Sequence, residues 1–200
     1  MVSTSVLRRV RSLGSVFRSG QAIEAGLSWR DLYSLRDDGE LIELSRGLFQ
    51  RADAAGSDNG DFIAVCARVP RGMVCLNSAL AYWDLSDEIP SEVHIAVPEG
   101  AHRPASHHPP TLVHVFHAPT FGLGRCEVRQ ARGEHFWISD TERSVVDAFR
   151  MRHLVGESLA YAALQRYLAR PRAKPGRLVE LARELRVESP IRAALRVLQP

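Results

Sequence analysis

Arg30, Tyr33, Ser34 and Asp37 fall on one side of the segment SWRDLYSLRDDG when it is wound as a helix, opposite Leu32 and Leu35. Trp29 and Arg36 lie on the flanks of that side. An arginine near the start of such a helix offers a planar fork of donors that matches guanine O6 and N7 in a major groove. Tyr33 and Ser34 have the reach for phosphate or a base edge. The acids Asp31, Asp37 and Asp38 work against this reading, and Asp38 is poorly placed near a helix C-terminus.

Immediately downstream, LIELSRGLFQR supplies two strands, Leu41–Leu44 and Leu48–Gln50, around a Ser45-Arg46-Gly47 turn. Gly47 gives the turn backbone freedom and leaves Arg46 at its tip. A ribbon after a recognition helix is a wing. Its arginine can enter a minor groove or touch phosphate, with Arg51 close behind.

Other residues with chemical potential read more simply. Asp140, Glu142 and Asp147 are the acids a metal-dependent nuclease or nucleotidyltransferase would need, but their spacing suits capping and pairing better. Ser139 and Glu142 fit a capping box, and Arg143 and Asp147 pair at i,i+4. Ser78 lacks the glycine elbow of a hydrolase and reads as the cap of a short apolar helix. Five histidines, His102, His107, His108, His114 and His117, crowd a proline-rich stretch with no cysteine or acid at finger-like spacing. No catalytic residue, metal or cofactor is expected.

The elements that must position these residues can be laid out along the chain. Three helices precede residue 40: about 5–13, capped by Thr4 or Ser5; Ser19 to Ala25, closed by Gly26; and one starting at the N-cap Ser28 and ending at Gly39. Val6, Leu7, Val10 and Leu13 share one face of the first. The arginine- and serine-rich start also has the look of a transit peptide, but the apolar faces that follow need this helix as a partner. Helix, Gly-Leu-Ser turn and helix is the spacing of a helix-turn-helix.

Residues 51–61 read as a linker. Beyond it come a helix at about 61–68 and strands at 93–97, 112–116, 126–130 and 136–138. Helices follow from Thr141 and at about 155–169, 175–187 and 190–198. The expected class is α+β: a winged helix-turn-helix over 1–52 and a mixed domain over 61–200 that ends in helices.

Composition bounds the partners. The 200 residues are 45% apolar and 24% charged, without an apolar run of membrane-spanning length, so no membrane is expected. Three cysteines, an odd and widely spaced count, fit reduced thiols in a cytoplasm. Net charge is +3, yet residues 165–200 hold nine basic groups against three acids. Lys174 is the single lysine, so nearly every cation is fork-shaped. The densest cluster is Arg166, Arg170, Arg172, Lys174 and Arg177. It can serve as a solvated face, an attraction for an acidic partner, or nonspecific affinity for DNA.

The run FRSGQAIEAGLSWRDLYSLRDDGELIELSRGLFQR resembles the N-terminal winged helix of the AbiEi family of antitoxins, in Gly26, Gly39-Glu40-Leu41 and Arg46-Gly47. Phe49 stands one position beyond the family's usual aromatic. CLNSALAYWDLSDEIPSEVHIAVPEG (75–100) and ISDTERSVVDAFRMRHLVG (138–156) are similar to its second-domain segments, with Ser144 in place of the more usual threonine. The resemblance implies an antitoxin that binds inverted repeats in its own promoter and represses its operon. It also implies a second domain that counters a nucleotidyltransferase-like toxin, by contact or otherwise. On this reading Ser28, Trp29, Arg30, Tyr33, Ser34, Arg36, Arg46 and Arg51 meet double-stranded DNA. Two other readings fit the same residues: a stand-alone regulator whose second domain senses a ligand or dimerises, and a module that neutralises its toxin by contact.

Overall fold

Gly26 and Gly39 hold φ angles of +82° and +76°, and each closes a helix where the spacing predicts. In the computed structural model, which describes residues 3–54, 59–102, 109–130 and 133–198, the chain forms two units. One comprises 1–70 with 128–136, the other 71–127 with 137–200.

In the first unit, α1 (Thr4–Ser12) is capped by Ser3, whose hydroxyl accepts from the Ser5 amide. The cap therefore lies just before the expected Thr4 or Ser5. Val10 is buried, and Val6, Leu7 and Leu13 pack beside it against Phe17, Ala22, Leu27, Leu32, Leu35, Leu41 and Phe49. The apolar face of α1 is thus part of the core. The helices α2 (Ser19–Glu24) and α3 (Trp29–Asp37) follow, with Leu32 and Leu35 fully buried as their spacing requires.

The wing strands β2 (Leu41–Ser45) and β3 (Leu48–Arg51) pair antiparallel. The sequence reading missed a third strand, β1 (Val16–Arg18), on the other edge of β3, with Phe17 opposite Phe49. Gly47 in the wing turn has φ +72°, and its carbonyl accepts from the Ser19 amide at 2.8 Å. That bond fixes the turn to the start of α2.

The first unit runs past the expected boundary at 52. In α4 (Gly60–Arg68), Ala64 packs against Leu44 and Leu48 of the wing. Buried Gln50 donates from Nε2 to the Gly60 carbonyl at 3.5 Å. Residues 128–136 belong here too: Glu134 accepts from the Ser15 amide, and Phe136 meets Phe62 edge-on at 5.5 Å.

A mixed sheet in the order β6-β5-β4-β8-β7 lies in the second unit, except for 128–129 of β7 and 135–136 of β8, which belong to the first. Its strands are β4 (Met73–Val74), β5 (Val93–Pro98), β6 (Thr111–Phe116), β7 (Arg125–Arg129) and β8 (His135–Ser139). Four match the expected strands, and β4 was not foreseen. β5 runs parallel to β6 and antiparallel to β4, which runs parallel to β8. Ile95, Ala96 and Val97 are all buried, so β5 is covered on both faces rather than on the one its alternation suggested.

Among the described residues, six α-helices complete the unit: α5 (Leu76–Tyr82), α6 (Thr141–Arg150), α7 (Arg152–Val155), α8 (Glu157–Leu168), α9 (Pro175–Glu184) and α10 (Glu188–Leu198). Val145, Val146 and Phe149 of α6 lie in their common core with Ala160, Leu164, Leu178 and Ile191. The protein is α+β, with helices at the C-terminal end. Two expected caps are corrected. Cys75, not Ser78, precedes α5; Ser78 is buried and its hydroxyl accepts from the His94 amide at 2.9 Å. Asp140, not Ser139, caps α6, accepting from the Arg143 amide at 2.7 Å. Ser139 is buried against the Ser144 hydroxyl at 2.8 Å. In both cases tertiary burial, which local spacing does not reveal, claims the serine.

Candidate nucleic-acid interface

The start of α3 is built by a reciprocal cap. Ser28 Oγ accepts from the Asp31 amide at 3.2 Å, while the Asp31 carboxylate accepts from the Ser28 amide at 2.8 Å and from its hydroxyl at 2.7 Å. These bonds from Ser28 hold the Asp31 carboxyl below its usual range. Asp31, counted above as a cost, is therefore part of the device that starts the helix. Ser28 is the other half of it, and its hydroxyl is engaged in the cap.

Trp29 and Tyr33 are 48% and 42% exposed and stack on each other, with ring centroids 5.9 Å apart. The Arg36 guanidinium lies over the Tyr33 ring at 4.9 Å. The i, i+4, i+7 spacing of 29, 33 and 36 puts these three in one column along α3. Trp29 and Arg36, which angular spacing alone places on the flanks of the Tyr33 side, are thus joined to it. Ser34 is half-buried.

The arginines divide into two kinds. Arg30 and Arg46 are exposed and make no hydrogen bond or ion pair among the described residues. Arg36 is held by Asp37 at 2.9 Å and by Glu43 of β2 at 3.1 Å, and these partners raise its pKa. Arg51 is the most committed. Its side chain is 14% exposed, it grips Asp53 through Nε at 2.9 Å and Nη2 at 2.7 Å, and it donates to the Leu13 carbonyl. This geometry ties β3 to the end of α1 and gives the guanidinium carboxylate and carbonyl partners within the protein.

Among the described residues, the α3 and wing side of this unit keeps free a capped helix start with an unpaired guanidinium, an aromatic pair and a second unpaired guanidinium on the wing turn; Arg8 of α1 is likewise exposed without a hydrogen bond or ion pair. Guanidinium groups without a carboxylate partner keep all five donors for an external acceptor. Such a face suits phosphate oxygens and base edges.

The other candidate groups belong to the second unit. Asp140 caps α6 and pairs with Arg177 at 2.7 Å; Glu142 accepts from the Tyr167 hydroxyl at 3.1 Å; Asp147 binds Arg143. Burial pushes the Tyr167 hydroxyl up to about 12. Much of the C-terminal basic excess is also engaged: Arg166 with Asp87, Arg170 with the Trp83 carbonyl, and Arg183 and Arg192 with Glu188. Of the clustered histidines, His107 and His108 lie outside the described residues. His114 instead meets His94, which the sequence reading did not single out, with Nε2 and Nδ1 3.3 Å apart. Among the described residues no three His, Cys, Asp or Glu side chains form a metal-ligating group, and no helix is long and apolar enough to cross a membrane.

Residues 5–52 match the family model described as "Transcriptional regulator, AbiEi antitoxin". No curated protein matches the chain. Among solved structures, the chain is similar to the RV2827C protein from Mycobacterium tuberculosis, with a TM-score of 0.57 and 16% identity, over 96% of this chain and 79% of that one. At that identity the likeness is one of fold.

Proposed function

We propose that this chain, whose residues 5–52 are a transcriptional regulator domain of the AbiEi antitoxin type, is the antitoxin of a two-gene system and represses its own operon by binding promoter DNA. The observation that carries this reading is Arg30. It stands exposed and unpaired on the first turn of a capped helix, in a unit where Arg36 and Arg51 are both neutralised by carboxylates. A cation kept free beside cations that are tied down supports an anionic partner. Arg46 on the wing turn supplies a second such cation.

On this reading the operator contacts divide among the residues by their freedom. Arg30 reads a base edge and Arg46 meets phosphate or a minor groove, with Trp29, Tyr33 and Ser34 beside them. Ser28 acts by starting the helix, Arg36 by bracing Tyr33, and Arg51 by holding β3. The second unit counters the toxin. Support for that half rests on the resemblance of segments 75–100 and 138–156, because the family match itself ends at residue 52. The same limit favours a second reading, a regulator whose second unit senses a ligand or dimerises.

A fluorescence-anisotropy titration against the chain's own upstream duplex and a scrambled duplex, at two salt concentrations, tests the proposal. Preference for the upstream duplex is expected. Equal and strongly salt-sensitive binding to both would overturn the repressor reading. Co-purification with a nucleotidyltransferase-like protein encoded next to this gene would separate the antitoxin reading from the lone regulator.

A further inference from the structure

We propose that Trp29 and Tyr33 read the 5-methyl groups of thymine, so that the preferred duplex carries thymine where the first turns of α3 enter its major groove. This rests on the DNA-binding reading above and adds what kind of base the helix selects.

Ile23, Trp29 and Tyr33 are the exposed large hydrophobic residues of the first unit among the described residues. Single exposed apolar side chains are ordinary on a protein surface. Here two stack on each other on the exposed side of the helix that carries the unpaired Arg30. The apolar area is therefore continuous and lies beside a free cation, which couples it to an anionic partner.

The stacking also decides which part of a nucleic acid it can meet. Trp29 lies one turn before Tyr33 and Arg36 one turn after it, and both contact the Tyr33 ring: the indole stacks on it at 5.9 Å between centroids and the guanidinium lies 4.9 Å from its centroid. A base stacking on that ring would compete with these neighbours. Single-stranded or intercalated binding uses open aromatic faces as platforms, whereas these rings are already engaged with each other and with Arg36. Both rings stay partly exposed, Trp29 at 48% and Tyr33 at 42%. In a duplex major groove the apolar group available to such a surface is the thymine methyl.

The column is also held in place. Asp37 and Glu43 fix Arg36, and Arg36 in turn braces Tyr33. A surface immobilised before binding loses little rotamer freedom on contact, which favours selectivity.

The test compares the upstream duplex made with thymine against the same duplex made with deoxyuridine, which keeps every base-pairing group and removes only the methyls. The parent protein is expected to bind the uracil duplex about four-fold more weakly for each methyl contacted, the equivalent of ~0.8 kcal/mol. Trp29→Ala and Tyr33→Ala, both at partly exposed positions, are expected to shrink that difference, and the comparison of two duplexes within each variant cancels any effect of uracil on duplex shape. Equal parent affinity for the two duplexes, with both still preferred over a scrambled one, would overturn the thymine assignment and leave the repressor reading standing. An undiminished thymine preference in both variants would also overturn it. No preference for the upstream duplex at all would remove both proposals together.

Discussion

Arg143 and Asp147 meet at 2.8 Å across one turn of α6 with neither side chain exposed to solvent. Arg143 also donates through Nη1 to the Thr120 carbonyl at 3.0 Å and the Leu123 carbonyl at 2.5 Å, while the second Asp147 oxygen accepts from Arg150 at 2.9 Å. The pair thus fixes the 118–124 loop to α6. A buried charge pair of this kind is costly to form but far costlier to break from one side; without Arg143, Asp147 would keep its charge with Arg150 alone beside it, and the Thr120 and Leu123 carbonyls would lose their donor.

Arg143→Ala should therefore destabilise the protein by about 3–5 kcal/mol. Urea denaturation followed by circular dichroism would measure it. Arg143→Lys should recover little, since one ammonium group cannot reproduce a planar fork that serves a carboxylate and two carbonyls at once. A loss below about 1 kcal/mol for the alanine variant would show that Arg150 alone satisfies Asp147 or that Asp147 takes up a proton.

Gly124 packs directly on this network. A Cβ added there would lie 2.6 Å from Arg143 Cβ and 3.1 Å from an Asp140 carboxylate oxygen, at a backbone φ of +64°. Neither the helix backbone behind Arg143 nor the capping Asp140 can move away without loss of its own bonds. Gly124→Ala is expected to lower the melting temperature by more than Gly100→Ala. Gly100 shares a positive φ, +81°, but has open space around it. Equal losses at the two sites would assign the whole effect to backbone strain.

How much of this was legible beforehand depended on whether the signal was local. Gly26, Gly39 and Ser28 act on their own helices, and the i,i+3 spacing of Leu32 and Leu35 records one buried face, so the first three helices could be read. The i,i+4 spacing of Arg143 and Asp147 disclosed their pairing but not their complete burial. β1 and β4, three and two residues long, carry too little alternation to register and exist because longer strands pair with them. Ser78 and Ser139 looked like caps because nothing local distinguishes a cap from a serine buried against a distant backbone. The candidate face was legible in outline through Arg30, Tyr33 and Arg46. The carboxylates that occupy Arg36 and Arg51 act through tertiary geometry, or through a neighbour whose rotamer the sequence does not fix.

The histidine pair makes stability depend on pH in a defined direction. Burial, with the nearby His94, pushes His114 down from 6.5 to about 4. Burial also lowers His94, though Glu92 opposes the shift. Both rings are neutral in the folded protein above this range, while an unfolded chain protonates them near 6.5. The unfolded state therefore binds more protons as pH falls from about 6.5 towards about 4, and stability is lost across that window. Melting temperature measured at intervals over it should fall more steeply for the parent than for His114→Gln. Parallel curves would mean that the two rings already exchange protons freely with solvent.

The division of the arginines into free and held predicts distinct consequences for DNA binding and for stability. Arg30→Ala should lose about 1–3 kcal/mol of discrimination between upstream and mismatched duplex, as expected for a side chain that reads a base edge. Arg46→Ala should weaken binding to all sequences alike and reduce the salt dependence by about one phosphate contact. Arg51→Ala should instead lower thermal stability, because it frees Asp53 and the backbone at the end of α1, and should leave the slope of affinity against salt unchanged. Ser28→Ala belongs with Arg51 through its cap, at a cost of about 1 kcal/mol. A reduced salt slope in Arg51→Ala would show that its pairing with Asp53 opens when DNA arrives and that this arginine contacts phosphate after all.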